Sequence, residues 1–280
     1  MRDGAREVES VELDLLLEGV FLRWGYDFRS WSRVHVKRRV EHFQSVSGAP
    51  TISSLQDRLL RDEEFFRSFL DEMSIQVSEM FRDPRSYAEI RRIALPALAT
   101  WPRARIWHAG CAAGEEVYSM AIMLEEEGLL GRTVIYATDF SESALRRARE
   151  GVFPAKRVRE FTENYLRSGG KAEFSGYYAA SYGSGIIAPR LREAVTFARH
   201  NLASDGVFGE MNMIVCRNVL IYFDRSLQAR AAGLFADSLC PGGLLWIGSK
   251  ESLALTGIDG RFETLSEEHR LYRKRYDRSA

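Results

Sequence analysis

The chain has 280 residues, 45% hydrophobic and 28% charged, a composition that excludes a disordered polar chain and leaves room for one large domain or one with a small companion. Its 39 basic and 39 acidic residues cancel, so no net charge draws it to nucleic acid. Cys111, Cys216 and Cys240 are too few and too scattered for a disulfide framework or a zinc cluster, which points to a reducing, cytoplasmic compartment.

The N-terminus is too charged for a signal peptide, and no apolar run approaches transmembrane length, so the protein reads as not membrane-inserted. Residues 8–90 show helical periods and no strand run. LDLLLEGVFLRWG closes at Gly25, RSWSRVHVKRRVEHFQSVSG closes at Gly48 and Pro50, and TISSLQDRLLRDEEFFRSFLDEM holds one or two more helices. These predict an all-α domain over 1–73 and a linker over 74–90.

From about residue 101 strands alternate with helices. RIWHAG, TVIYATD, VTFARHNL, MNMIVCRN, LLWIG and HRLYRKR read as strands; EEVYSMAIMLEEEG, SESALRRAREG and RSLQARAAGLFADSL read as helices. The pattern predicts a mainly parallel, doubly wound α/β sheet over 91–280. Residues 171–194, with Tyr177, Tyr178 and Tyr182 among glycines, break the alternation as a small β insertion or a long surface loop.

Four motifs carry chemistry. In HAGCAAGEEVYS a strand runs through Gly110 into a small-residue turn, and Gly114 opens a helix. Glycines there admit a ligand close to the backbone. A pyrophosphate at that turn would need positive potential, whereas Glu115 and Glu116 bring negative charge suited to a cationic ligand. Glu115, directly after the glycine, is read as the ligand; Glu116 is read as a complement to the helix dipole. In ATDFS, Asp139 ends the second strand, where an acid accepts both hydroxyls of a ribose, and Ser141 is left to cap the next helix. Adenosine, positive charge and no phosphate describe S-adenosylmethionine. In CRNVLIYFD, Arg217, Asn218 and Tyr222 cluster at the ligand-binding end of the sheet, with strand-end groups satisfying backbone carbonyls as the alternative. In SIQVSEMFRDPRSY, Ser78, Arg82 and Arg85 are polar candidates within a segment that also reads as a solvated linker. His108 and His200 read as packed strand residues.

Taken in order, GCAAGEEVYS, ATDFSESALRRAREGVF, HNL, CRNVLIYFD and PGGLLWIGSKESL resemble the CheR-type chemotaxis receptor methyltransferases from about residue 10 to the C-terminus. The resemblance implies a helical N-terminal domain and a Rossmann-like methyltransferase domain carrying a small β-subdomain. It implies methyl transfer from S-adenosylmethionine to glutamate side chains on chemoreceptor cytoplasmic helices, with no metal. The cofactor contacts it implies are Gln76, Ser78 and Arg82, Gly110, Glu115, Asp139 for the ribose, Asn201 and Leu202 beside the adenine, and Arg217 with Asn218. Arg82 and Tyr222 would stand near the reacting methyl. The chain departs from the family at Gln76 and Ser78, where Asn and Thr are frequent, and at Ala112–Val117, where S-T-G-E-E-P is frequent.

The same resemblance implies docking on a receptor helix rich in acidic residues. The segment 28–42 carries Arg29, Arg33, Lys37, Arg38 and Arg39 against Glu41 and suits that role, or is a solvated face. Some family members also tether to a C-terminal receptor pentapeptide through a longer glycine-containing loop; residues 181–195 look shorter, so no tether is expected.

Overall fold

The computed structural model describes residues 2–74, 78–254 and 256–276. Four helices come first: α1 (Arg2–Trp24), α2 (Arg33–Ser47), α3 (Ile52–Arg61) and α4 (Glu63–Met73). Gly48 caps α2 in the left-handed conformation, and Thr51 and Ser54 form a reciprocal capping box at α3. Leu16, Val20, Val40, Leu55, Leu59 and Phe69 meet in a core of their own. The basic segment is helical only from Arg33; Arg29 and Ser30 form a turn before it. The expected linker is half helix, because Pro84 starts α5 (Pro84–Ala99).

The second unit runs β1 (Ala104–Ala109), α6 (Glu115–Glu126), β2 (Thr133–Asp139), α7 (Glu142–Glu150), β3 (Val152–Pro154), α8 (Ala155–Arg167), β4 (Tyr178–Ser181), β5 (Ser184–Ile187), α9 (Pro189–Glu193), β6 (Val195–Arg199), β7 (Met211–Cys216), α10 (Arg225–Ser238), β8 (Leu239–Ile247), β9 (Phe262–Ser266) and β10 (Leu271–Lys274). Seven strands lie in the order β6-β2-β1-β7-β8-β10-β9, parallel as far as β8, with β10 and β9 antiparallel at one edge. Alternate strand residues serve two cores. Ile106, Ile135, Met213 and Trp246 face the side of α5 and α6, and Trp107, Ile214 and Leu245 face that of α10. The strand order reverses between β1 and β7, which places the ligand crevice of an open α/β sheet at their carboxyl ends.

The insertion is a three-stranded sheet, β3-β5-β4, and starts at Val152 rather than near 171. The β4–β5 hairpin turns through Tyr182 and Gly183, both at positive φ. The helical domain seats itself at the crevice. Trp31 pairs with Phe223, the Ser32 N–H donates to Tyr222 O at 2.7 Å, and the Asp224 N–H donates to Ser30 O at 2.9 Å. Among the described residues, no helix is long and apolar enough to cross a membrane.

Candidate active site

A cleft of about 880 Å³, its open mouth included, lies over the carboxyl ends of β1, β2 and β7. That falls within the roughly 300–1,000 Å³ usual for small-molecule sites. The chain leaves β1 through Gly110, whose N–H donates to Thr138 O at 2.8 Å. Gly110 has φ 78°, and a Cβ there would stand 2.6 Å from Val219 Cγ2, so this crossing admits no side chain. Two residues on, the Ala112 N–H donates to Asp139 Oδ2 at 3.0 Å; the Ser141 N–H donates to Asp139 Oδ1 at 2.9 Å. The carboxylate thus ties the β1 turn to the end of β2 and lines the cleft. Burial pushes Asp139 above the ordinary aspartate range, against the pull of the Ser141, Ala112 and Phe140 amides.

After β7, Arg217 is buried and its guanidinium carbon lies 4.3 Å from the centre of the Trp246 ring. It pairs at 2.8 Å with Glu116 Oε2 and at 2.8 Å with Asp83 Oδ2, and it donates to Arg82 O at 3.3 Å through both amino groups. Burial raises Glu116, but Arg217 and then His108 hold it below the usual carboxylate range, so it is an anion on the cleft wall. Asn218 follows at φ 60°, and the Asn218, Val219, Leu220 and Gly248 N–H groups all donate to Glu251. Glu251 is buried and shapes this turn from below, as a capping group with four donors.

The structure brings together Ser78, Arg82, Gly110, Asp139, Asn201, Leu202, Arg217, Asn218 and Tyr222 on one cleft wall. Gln76 lies outside the described residues. Glu115 is not on that wall, and Glu116 is. Glu115 is 2% exposed and turned toward α8, with Oε1 3.7 Å from Arg157 Nη1. Helix α6 is buried around nearly its whole girth, so its apolar pattern has no phase to tell which glutamate faces the cleft.

Trp31, Ser74, Phe140 and His200 also line the cleft and were not singled out as ligands by sequence reasoning. Phe140 was legible as the neighbour of Asp139. Trp31 was not, because it arrives from the helical domain through the pairing with Phe223. His200 lies one residue past β6 rather than within a strand; it packs against Trp107, and its Nε2 is 3.0 Å from Gly206 O. No cluster of three or more His, Cys, Asp or Glu residues suited to a metal exists among the described residues.

Two family descriptions match the chain: CheR methyltransferase, all-alpha domain, over residues 11–74, and CheR methyltransferase, SAM binding domain, over residues 76–271. Cher3 of Pseudomonas putida is 48% identical over 264 residues, 94% of this chain and 97% of that protein. A 104.1 kDa protein of Rhodobacter capsulatus is 31% identical over 278 residues, 96% of this chain but only 28% of its own length. A chemotaxis protein methyltransferase of Listeria innocua is 32% identical over 231 residues, 82% of this chain and 85% of that protein.

Proposed function

The chain belongs to the CheR methyltransferase family, and from that premise we propose that it methylates glutamate side chains on the cytoplasmic helices of a chemoreceptor, in the cytoplasm. The observation that carries this is the charge of the cleft. A buried acid, Asp139, ends β2, and a second anion, Glu116, stands where a dinucleotide would place its phosphates. Those groups fit S-adenosylmethionine: Asp139 to accept from the ribose, Asn201, Leu202 and Phe140 for the adenine, and Glu116 for the cationic amino-acid end. Ser78, Gly110, Arg217 and Asn218 complete the enclosure.

The bound cofactor supplies a methyl on a sulfonium: the glutamate oxygen gains the carbon, sulfur keeps the electron pair, and the two opposite charges cancel with no proton moved. A glutamate titrates near pKa ~4.3, so the nucleophile is already ionised at neutral pH and no general base is required. The residues' work is therefore positioning, worth roughly 7–11 kcal/mol at its upper limit. Arg82 orients the carboxylate. A tight guanidinium pair would favour the ionised ground state over a transition state that is losing charge, so the Tyr222 hydroxyl is placed nearest the methyl.

Docking by the basic segment is kept in modified form. Arg29, Arg33, Lys37 and Arg39 pair with acidic residues of this chain, and Arg38 is exposed with no ion pair among the described residues. Such exposed pairs are worth about 0–1 kcal/mol each, so an acidic helix can replace them. The two-residue hairpin turn at Tyr182 and Gly183 supports independence from a receptor pentapeptide.

The test is incubation of the purified chain with labelled S-adenosylmethionine and membranes holding a matched receptor. Base-labile methyl esters on the receptor support the reading; label that is absent or base-stable overturns it. Removing the receptor's last five residues should leave the rate within about twofold, and raising salt should lower it, since exposed charges are screened beyond ~8–10 Å.

A further inference from the structure

The segment that crosses from the helical domain to α5 is held by side chains from outside it. Arg157 Nη2 donates to Ser78 O, Asn164 Nδ2 donates to Met80 O at 3.2 Å, and Arg217 donates to Arg82 O at 3.3 Å. Three alternate carbonyls are thus each taken by one side chain. Residues 78–82 belong to no helix or strand, so these bonds replace those that regular structure would have made. Two of the three donors come from α8, which belongs to the insertion and not to the seven-stranded sheet.

The backbone here is not in a relaxed shape. Phe81 and Asp83 have φ of 53° and 60°, left-handed values that a non-glycine residue rarely adopts. Such a conformation persists only where its surroundings fix it. The Phe81 N–H donates to Ser119 Oγ at 2.9 Å, and the Phe81 ring packs on Tyr165, again from α8, at 5.2 Å between centres. Ser78 and Arg82, whose carbonyls are held, are the residues whose side chains line the cleft. The guanidinium of Arg157 is itself steadied from the far side, 3.7 Å from Glu115.

We propose that α8 is part of the cofactor site, with Arg157 and Asn164 as positioning residues that act through the Ser78 and Met80 carbonyls to set where Ser78 and Arg82 stand. This rests on the reading of the cleft as an S-adenosylmethionine site. It assigns the insertion a task in cofactor binding: a displacement of α8 that breaks these bonds changes cofactor affinity.

The experiment measures S-adenosylhomocysteine affinity by calorimetry, with unfolding followed separately by circular dichroism. Arg157→Ala should weaken binding about tenfold, the order expected for losing a charged donor. Arg157→Lys should recover part of that loss. Asn164→Asp, of equal size but without the donor, should weaken binding several-fold, giving a second variant should Arg157→Ala not fold. In a double-mutant cycle, Ser78→Ala and Arg157→Ala should be non-additive, as residues joined by a hydrogen bond are. Affinities within about twofold of wild type in folded variants, or additive losses in the cycle, would overturn the positioning role. A wild-type protein that binds no S-adenosylhomocysteine would overturn the cofactor reading itself, and this proposal with it.

Discussion

Arg217 Nη1 stands 2.8 Å from Glu116 Oε2, and the pair joins the end of β7 to the first turn of α6 in the wall of the cleft. The side chain of Arg217 is only 1% exposed, so the pair is a structural tie as much as a binding group. Its other amino group holds Asp83, beside Arg82. An ion pair of this burial is not strongly stabilising against apolar replacement, but removing one member strands the other. Arg217→Met should therefore destabilise the fold by about 3–5 kcal/mol, because Glu116, largely buried, loses its cation, whereas Asp83 is open to solvent. Glu116→Gln should cost clearly less, because Arg217 keeps Asp83. Urea unfolding of both variants checks the order; equal losses would mean that Asp83 alone does not hold the guanidinium.

Asp139 gives a sharper test of the ribose role. Each of its oxygens already accepts one backbone N–H, from Ala112 and from Ser141. In Asp139→Asn the amide nitrogen must face one of those donors, so the substitution breaks the turn whichever way the amide is set. Both Asp139→Asn and Asp139→Ala should lose about 1.5–3 kcal/mol of S-adenosylhomocysteine affinity, roughly ten- to a hundredfold. Calorimetry showing near wild-type affinity for the asparagine variant would contradict a role for the carboxylate.

Much of this site was legible in the sequence because its members sit at the ends of strands with clear patterns. TVIYATD and MNMIVCRN are short apolar runs, so Asp139 and Arg217 announce themselves as the polar residues that close them. Helix α8 carries Val158, Phe161 and Tyr165 at helical spacing on its buried face; what AKRVREFTENYLR does not show is that the insertion sets it against residues 78–82. β9, FETLS, alternates too weakly to separate from a loop and is fixed by its pairing with β10. Glu251 looked like one charge in a polar run, and only the fold brings the turn after β7 over it. Long-range seating accounts for the remainder, Trp31 being the plainest case.

Tyr222 and Arg82 should separate kinetically. The main chain of Tyr222 is fixed by Ser32, and its ring meets the edge of His35 at 5.0 Å between centres, contacts that Tyr222→Phe keeps. That variant loses only the hydroxyl. Its kcat should fall about tenfold or more, with S-adenosylhomocysteine affinity within about twofold of wild type, the pattern of an interaction made in the transition state. Arg82→Ala should lower both quantities, since Arg82 lies on a segment that lines the proposed cofactor cleft. Parallel losses of affinity in the two variants would refute separate roles.

Glu115 sets a pH dependence of stability. Burial pushes its carboxyl up to about 7, against the pull of Arg157 and Arg147 and with a small further push from Glu79. The folded protein therefore keeps a proton that the unfolded chain gives up near the ordinary 4.5. Where the native state holds more protons than the unfolded state, stability falls as pH rises. The contribution of neutral Glu115 is complete below about pH 4.5 and is lost by about pH 7, amounting to up to about 3 kcal/mol. Glu115→Gln carries no such charge at any pH. It should match the wild-type Tm near pH 4.5 and exceed it at pH 8, with the gap opening across that window. Thermal unfolding at both pH values decides this: a Tm difference that is the same at each would mean that Glu115 is already ionised in the folded protein, held as an anion by Arg157.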